Sequence, residues 1–356
     1  KIKTIAVLAT APGLDIKAFC DSLQESLNFH GKTIVLNEKQ KTEFGESKYQ
    51  LLNWLSITET QSEFVIFEGN QHMDEWTKQS LRQADKVLII KRNQNELIDR
   101  ELYKELVSIR DSKKKNEWEV VLNSPSPSVA SNQEFERRFW LSEPNDMARL
   151  ARAISGKEIQ LILGGGGARG FAHLGVIRAM EELRIPIDHV AGTSIGSVIG
   201  ALVAKRMKHA DIMKLVKKAF LDEKPMKGMR LPVLSLVSDK NLNKMLMNYL
   251  GDEKIQDLPI PFFATASNLS TAQLEIMEHG MIRKAVRASI SLPTVFPPAV
   301  KGNHLLVDGG VFDNLPVMPM MDRADGIRIG VDLTSFKERD LGYEEVPSTG
   351  AFLKDR

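Results

Sequence analysis

Residues Gln160–Gly170 (QLILGGGGARG), Phe171–Leu183 (FAHLGVIRAMEEL), Asp188–Ser194 (DHVAGTS) and Ile195–Ala204 (IGSVIGALVA) decide the fold. Gln160–Leu163 is a short apolar run entering four consecutive glycines, the pattern of a buried strand that ends in a tight loop. Phe171–Leu183 then carries apolar residues at helical spacing. Asp188–Gly192 reads as a second strand, and after Ser194 the chain turns directly into a second helix. Strand, helix, strand, helix implies a parallel sheet covered by helices, an α/β architecture. Later strands are predicted at Phe262–Ser267, Gln273–Met277 and Ile327–Leu333.

The same alternation runs upstream. Thr4–Thr10, Thr33–Asn37, Phe64–Gly69, Lys86–Lys91 and Glu119–Asn123 read as buried strands, with helical patterns at Asp15–Phe29, Asp74–Arg82 and Glu96–Arg110. A polar stretch, Asn123–Gln133, and a helical segment, Asp146–Ile154, lead to Ser155-Gly156. A boundary there divides the chain into two α/β domains, 1–156 and 157–356, as its 356 residues suggest at roughly 100–200 per domain. The chain opens on Lys1 in a strand-like run, so it is expected to be a fragment of a longer protein, truncated at the C-terminus of its second domain.

Composition narrows the classes. With 42% hydrophobic and 26% charged residues the chain can bury a core, and a net charge of +2 excludes a nucleic-acid-binding polycation. Cys20 is the single cysteine, which excludes intramolecular disulfides and Cys-rich zinc sites and fits a reducing compartment. The most apolar stretch, Ile185–Ala204, contains Pro186, Asp188 and His189 and falls short of the roughly 20 uncharged residues of a membrane span. A cytoplasmic or peripherally membrane-associated protein is expected. No feature fixes an oligomeric state.

The chemistry gathers at three places. Gly192-Thr193-Ser194-Ile195-Gly196 is a G-x-S-x-G pattern between a strand and a helix. Gly192 and Gly196 allow a turn sharp enough to push a serine oxygen into the open. An ordinary glycine-rich turn is the bland alternative. Gly165, Gly166 and Gly167 offer uncovered backbone N–H groups between a strand end and a helix start, where an anion such as the oxyanion of ester hydrolysis can be held. Arg169 adds a positive charge that braces the loop or attracts a phosphate. Gly165, Gly167 and Gly170 also fit the dinucleotide fingerprint, but the acidic residue that fingerprint needs at the end of the next strand is missing: Asp188 stands at the strand's start. Asp308-Gly309-Gly310 suits a tight turn. None of the seven histidines follows Asp308, so a Ser…Asp…His order cannot use it. A carboxylate ionised at neutral pH and acting directly on the serine remains open.

Taken in order, Gly164–Gly170 with Phe171–Val176, Gly192–Ser197, Val286–Ser289 (VRAS), and Asp308–Gly310 with Asn314-Leu315-Pro316 resemble the patatin-like phospholipases, and within them the neuropathy target esterase group with its bacterial relatives. The resemblance covers about Glu158–Ser335. It implies a three-layer α/β catalytic domain and a Ser194–Asp308 dyad. It also implies an oxyanion hole from Gly165, Gly166 and Gly167 supported by Arg169, and cleavage of acyl esters of lysophospholipids or phospholipids without metal or cofactor. Gly164 departs from plant patatins, which carry Asp there. The first half resembles, more weakly, the region preceding that domain in the same group, through Glu68–Ile90 with Trp76 and Arg82–Asp85. It looks like a smaller degenerate P-loop NTPase fold. Ala9–Asp15 lacks the Gly-Lys-Ser/Thr that holds phosphate and magnesium, so a scaffold is expected. The group also implies a cyclic-nucleotide-binding domain upstream. An acyltransferase using the same serine, or a lipid-binding module without catalysis, are the alternatives.

Lys205–Arg230 holds nine basic residues interleaved with Met207, Met213, Met226 and Met229. It reads first as a solvated amphipathic helix with methionines filling core gaps, and second as a contact with an anionic membrane surface. His173 and Cys20 lie in helical patterns and are expected to pack.

Overall fold

Runs of Val, Ile, Leu and Phe buried on both faces build the first sheet. The computed structural model describes residues 2–10, 13–42, 48–70, 72–93, 96–98, 100–110, 117–122, 137–218 and 239–334. Strands β1 (Thr4–Ala9), β2 (Thr33–Leu36), β3 (Phe64–Glu68), β4 (Lys86–Lys91), β5 (Glu117–Val121) and β6 (Arg137–Trp140) pair in parallel in the order β2-β3-β1-β4-β5-β6. Helices α1 (Ile16–Asn28), α2 (Glu38–Thr42), α3 (Lys48–Gln61), α4 (Glu75–Gln83), α5 (Arg100–Arg110) and α6 (Asp146–Ser155) accompany them. Asp15 and Asp74 start α1 and α4 by accepting the N–H groups of Ala18 and Thr77, each at 2.8 Å. Gly156, in the left-handed region at φ 67°, ends α6. Ile5 and Val7 enter one core with Phe19, Leu23 and Leu150, whereas Ala6 and Leu8 enter another with Trp76 and Leu81. The alternation is the period-2 pleat of a sheet covered on both faces.

Strand β6 was not expected, because Arg137 and Arg138 break the apolar pattern. The fold holds them half-buried by pairing. Arg137 meets Glu158 at 2.8 and 2.6 Å and lies over Trp118, while Arg138 bonds Glu119, which is also held by Lys91 at 2.8 Å. The fifth strand begins two residues earlier than its apolar pattern suggested, at Glu117, and Asn123 lies outside the described residues.

The second sheet comprises β7 (Glu158–Leu163), β8 (His189–Thr193), β9 (Phe262–Asn268), β10 (Gln273–Met277), β11 (Ala299–Lys301), β12 (His304–Asp308) and β13 (Gly326–Val331). Helices α7 (Phe171–Glu182), α8 (Ile195–Ala204), α9 (His209–Lys217), α10 (Asp239–Leu250), α11 (Ile282–Ser289) and α12 (Val317–Met321) flank it. Leu161 and Leu163 face a large core with Ile199, Leu202 and Val286, and Ile162, Ala191 and Phe263 face Met320 of α12. Helices therefore cover both faces, giving three layers.

Pairing in this sheet is mixed. β13, β7, β8 and β9 run parallel, while β10, β11 and β12 run antiparallel to their partners. β9 pairs with β10 along residues 264–268 on one edge. Its other edge must then hold both β8, opposite residues 262–265, and β12, opposite residues 266–268. The two strands approach from opposite directions and meet end to end, Thr193 opposite Thr265 and Asp308 opposite Ala266.

Helix α6 joins the halves. Leu150, Ala151, Ala153 and Ile154 belong to the first core. Arg152 grips the buried Asp188 of the second half at 2.8 and 2.7 Å, and Arg149 bonds the Pro259 carbonyl. Asp188 also accepts the Ile159 N–H at 2.9 Å.

Candidate active site

The end-to-end meeting of β8 and β12 builds the site. Ser194 sits between β8 and α8 at φ 54° and ψ −125°, a left-handed conformation unusual for a side-chain-bearing residue and a mark of stored backbone strain. The turn closes only because its neighbours lack Cβ atoms. A Cβ on Gly192 would lie 2.4 Å from the Gly196 carbonyl oxygen, and one on Gly196 would lie 2.1 Å from that of Leu163. The Ser194 N–H donates to Ser289 Oγ at 2.9 Å, and its carbonyl accepts from Ser197 N–H at 2.9 Å and Ser197 Oγ at 2.6 Å. Ser289 ends α11, the VRAS segment, to which sequence reading gave neither a helix nor a role.

Asp308 is the last residue of β12 and the start of the Gly309–Val311 turn. The Ser194 hydroxyl donates to its Oδ2 at 2.5 Å, and the Gly310 N–H donates to its Oδ1 at 2.8 Å. Its backbone N–H is held by the Ser291 carbonyl at 2.9 Å. Burial pushes the carboxyl above the ordinary Asp value, opposed by the bonds from Ser194 and Gly310. Among the described residues, no histidine ring is hydrogen-bonded to Ser194 or Asp308.

The glycine loop lies against the serine. A Cβ on Gly165 would stand 3.2 Å from Ser194 Cβ and 2.4 Å from Asn314 Oδ1. Gly165 differs from expectation as a donor. Its N–H is given to the Asn314 carbonyl at 3.1 Å, and its carbonyl receives Asn314 Nδ2 at 3.1 Å. What Gly165 provides is room. Gly166 and Gly167 precede the first internal bond of the Gly167–Gly170 turn, Arg169 N–H to Gly166 O at 3.1 Å, so the turn itself leaves their N–H groups free. Ile195, the first residue of α8, presents its N–H likewise. Asn314 thus ties the loop to the segment that follows Asp308, a role its place before Leu315-Pro316 in the sequence does not reveal.

His173 is fully buried, and its Nε2 donates to the Gly164 carbonyl at 2.8 Å. Burial lowers its pKa, which leaves a neutral ring that both packs and steadies the loop. Cys20 is buried in the first core, and burial raises its thiol far from reactivity. Arg169 is exposed at the loop, and its guanidinium makes no hydrogen bond or ion pair among the described residues, although it lies in the field of Asp332. Among the described residues, no group of three or more His, Cys, Asp or Glu side chains is placed to hold a metal ion.

The basic segment is described only to Lys218, so Lys224, Lys227, Arg230, Met226 and Met229 lie outside the described residues. In the described part, Ile212 and Val216 of α9 are buried and Lys214 is exposed. Lys205 pairs with Glu253, and Arg206 with Asp146 and Glu143. This part follows the far end of α8, whose ten residues span about 15 Å from Ser194.

Comparison with known proteins agrees with this layout. Residues 161–321 match the patatin-like phospholipase family, and residues 1–143 match the Neuropathy Target Esterase family P-loop like domain. Patatin-like phospholipase domain-containing protein 7 of Rattus norvegicus is 29% identical over 391 residues, covering 96% of this chain and 29% of its own length. Patatin-like phospholipase domain-containing protein 6 of Homo sapiens is 30% identical over 390 residues, covering 96% and 28%. Neuropathy target esterase sws of Drosophila melanogaster is 29% identical over 396 residues, covering 96% and 27%. The chain thus spans less than a third of the length of the curated relatives it matches. The chain thus carries a P-loop like domain of the Neuropathy Target Esterase family at residues 1–143, followed by a patatin-like phospholipase domain at residues 161–321.

Proposed function

We propose that this chain is a lipid ester hydrolase that cleaves acyl esters of lysophospholipids or phospholipids, with Ser194 as nucleophile and Asp308 as base. The observation that carries the reading is the 2.5 Å hydrogen bond from Ser194 Oγ to Asp308 Oδ2 at a strained strand-to-helix elbow. Asp308 takes the hydroxyl proton as Ser194 Oγ attacks the acyl carbonyl. The N–H groups of Gly166 and Gly167, joined by that of Ile195, receive the oxyanion, and Gly165 keeps the space open. Collapse expels the glycerol alcohol, which takes the proton from Asp308 and leaves the acyl group on Ser194. Asp308 then takes a proton from water as its oxygen attacks the acyl carbon, and collapse releases the fatty acid and expels Ser194 Oγ, which takes that proton back from Asp308. Arg169 is the group for a headgroup phosphate.

Residues 1–156 serve in this reading as a scaffold and 157–356 as the catalytic domain, joined through α6. Labelling with a fluorophosphonate probe tests the nucleophile: Ser194 should carry the label, and Ser194→Ala should remove it together with fatty-acid release from lysophosphatidylcholine. Labelling that persists in Ser194→Ala overturns the assignment.

A further inference from the structure

β9 outruns β8. β8 stops opposite Thr265, and β9 continues through Ala266, Ser267 and Asn268. The β11–β12 hairpin pairs with that overhang, so it stands beyond the end of β8 where Ser194 lies. Val300 and Leu305 are directly opposed on the hairpin, 70% and 47% exposed, and opposed residues of an antiparallel pair project from the same face. Leu269, 52% exposed, donates its N–H to the Leu305 carbonyl at 2.9 Å. Three large apolar side chains therefore adjoin one another in water.

The exposed apolar surface continues toward the base. Leu292 and Phe312 are also exposed. Leu292 follows Ser291, whose carbonyl holds the Asp308 N–H. The Phe312 N–H donates to Ser267 Oγ at 3.1 Å, and that hydroxyl donates to the Gly309 carbonyl at 3.2 Å. The charge of the hairpin is balanced, since Lys301 pairs with Glu275 at 2.6 Å. A contiguous apolar patch of this kind marks an interaction surface, unlike apolar residues scattered singly.

We infer that Leu269, Val300 and Leu305, with Leu292 and Phe312, form the face by which this protein docks on a lipid layer. The inference rests on the reading of Ser194 as a lipid esterase. Two observations select a lipid layer as the occupant. The patch stands on the hairpin whose second strand ends in Asp308, the partner of Ser194 at the elbow that must receive an acyl ester. Among the described residues, the exposed guanidinium of Arg169 beside the elbow is unpaired and suited to a headgroup phosphate, while Lys301 of the hairpin is neutralised by Glu275. Side chains of this size enter the boundary between headgroups and acyl chains. Lys205 and Arg206, at the far end of α8, are paired with Glu253 and with Asp146 and Glu143 and are not part of this contact.

The test is co-sedimentation of the full chain carrying Ser194→Ala with phosphatidylcholine vesicles, with and without phosphatidylserine. Binding is measured without turnover, so its failure leaves the assignment of Ser194 untouched. Val300→Glu with Leu305→Glu should weaken binding at least tenfold while circular dichroism stays unchanged. Lys214→Gln with Lys217→Gln should bind as the parent does, and binding to phosphatidylcholine should resist salt. Loss of binding in the lysine variant with retention in the hairpin variant overturns the inference, as does absence of binding by the parent. A concentration-dependent dimer that the glutamates dissociate, with vesicle binding intact, assigns the face to a second copy of the chain and overturns it too. Should the double glutamate variant misfold, Val300→Ser alone gives the same comparison on an exposed side chain.

Discussion

Thr193 and Asp308 end two strands that run toward each other along one edge of β9, where they oppose consecutive residues, Thr265 and Ala266. This places the hydroxyl of the residue after Thr193 on the Asp308 carboxylate without any intervening ring. The proposed mechanism makes the pair interdependent. Asp308→Asn keeps the size of the side chain and removes the proton acceptor, so hydrolysis of a soluble ester should fall roughly 10⁴-fold, close to the loss in Ser194→Ala. The double variant should be little worse than either single one. Comparison of kcat/KM across the three variants and the parent decides the point, and additive losses would argue against a coupled dyad.

Asp308 also gives opposite signs for activity and stability. Its pKa lies above the ordinary carboxylate value because burial penalises the ionised form. Activity needs that form, so the acid limb of the kcat/KM profile should fall above the ordinary Asp range. Stability behaves in reverse: a carboxyl with a raised folded pKa stabilises the fold below its unfolded pKa, and that contribution is lost as pH rises through the folded pKa. Asp308→Asn should therefore match or exceed the parent's melting temperature at pH 7, with the difference shrinking as pH falls toward the ordinary carboxylate value. Melts at several pH values check this.

Two glycine-to-alanine changes separate room from flexibility. At Gly165 the new Cβ would collide with Asn314 Oδ1 and crowd Ser194, so activity should drop by about 10² or more with a modest loss of stability. Gly175, exposed inside α7, would place its Cβ in open space. Gly175→Ala should leave activity unchanged and stabilise by about 0.5–1 kcal/mol. Denaturant melts and ester assays on both variants are sufficient.

Removing Arg152 leaves the buried Asp188 without its bidentate partner. Loss of one member of a buried ion pair typically costs about 3–5 kcal/mol, and Arg152→Ala should fall in that range by urea unfolding. Asp188→Asn in the same chain should recover part of it, because the orphaned charge is then gone. A double variant as unstable as the single one would mean that packing, not charge, accounts for the loss.

Much of the site was legible because it lies in one local pattern. The strand, elbow and helix around Ser194 read directly from Gly192, Gly196 and the apolar run, and α8 begins and ends where its sequence pattern does. The strand carrying Asp308 was not legible. His304 and Leu305 at its start are exposed and only its last three residues are buried, so it lacks the signature of an interior strand. The arginine-bearing β6 escaped for a different reason, since its burial depends on carboxylates from β5 and β7. Asn314 acts on Gly165 across 149 residues of chain, a relationship that no window of sequence expresses.

Helix α6 makes two topological units one thermodynamic unit. Its apolar side packs in the core of the first sheet, and its Arg152 is held by Asp188 of the second half. Heating should thus give a single calorimetric peak in place of two, with the calorimetric and van't Hoff enthalpies in agreement. A catalytic fragment cut after Gly156 would inherit Asp188 without its counter-ion at the foot of the very strand that presents Ser194. In this chain, the smallest piece able to keep its nucleophile in register is longer than the smallest piece that contains it.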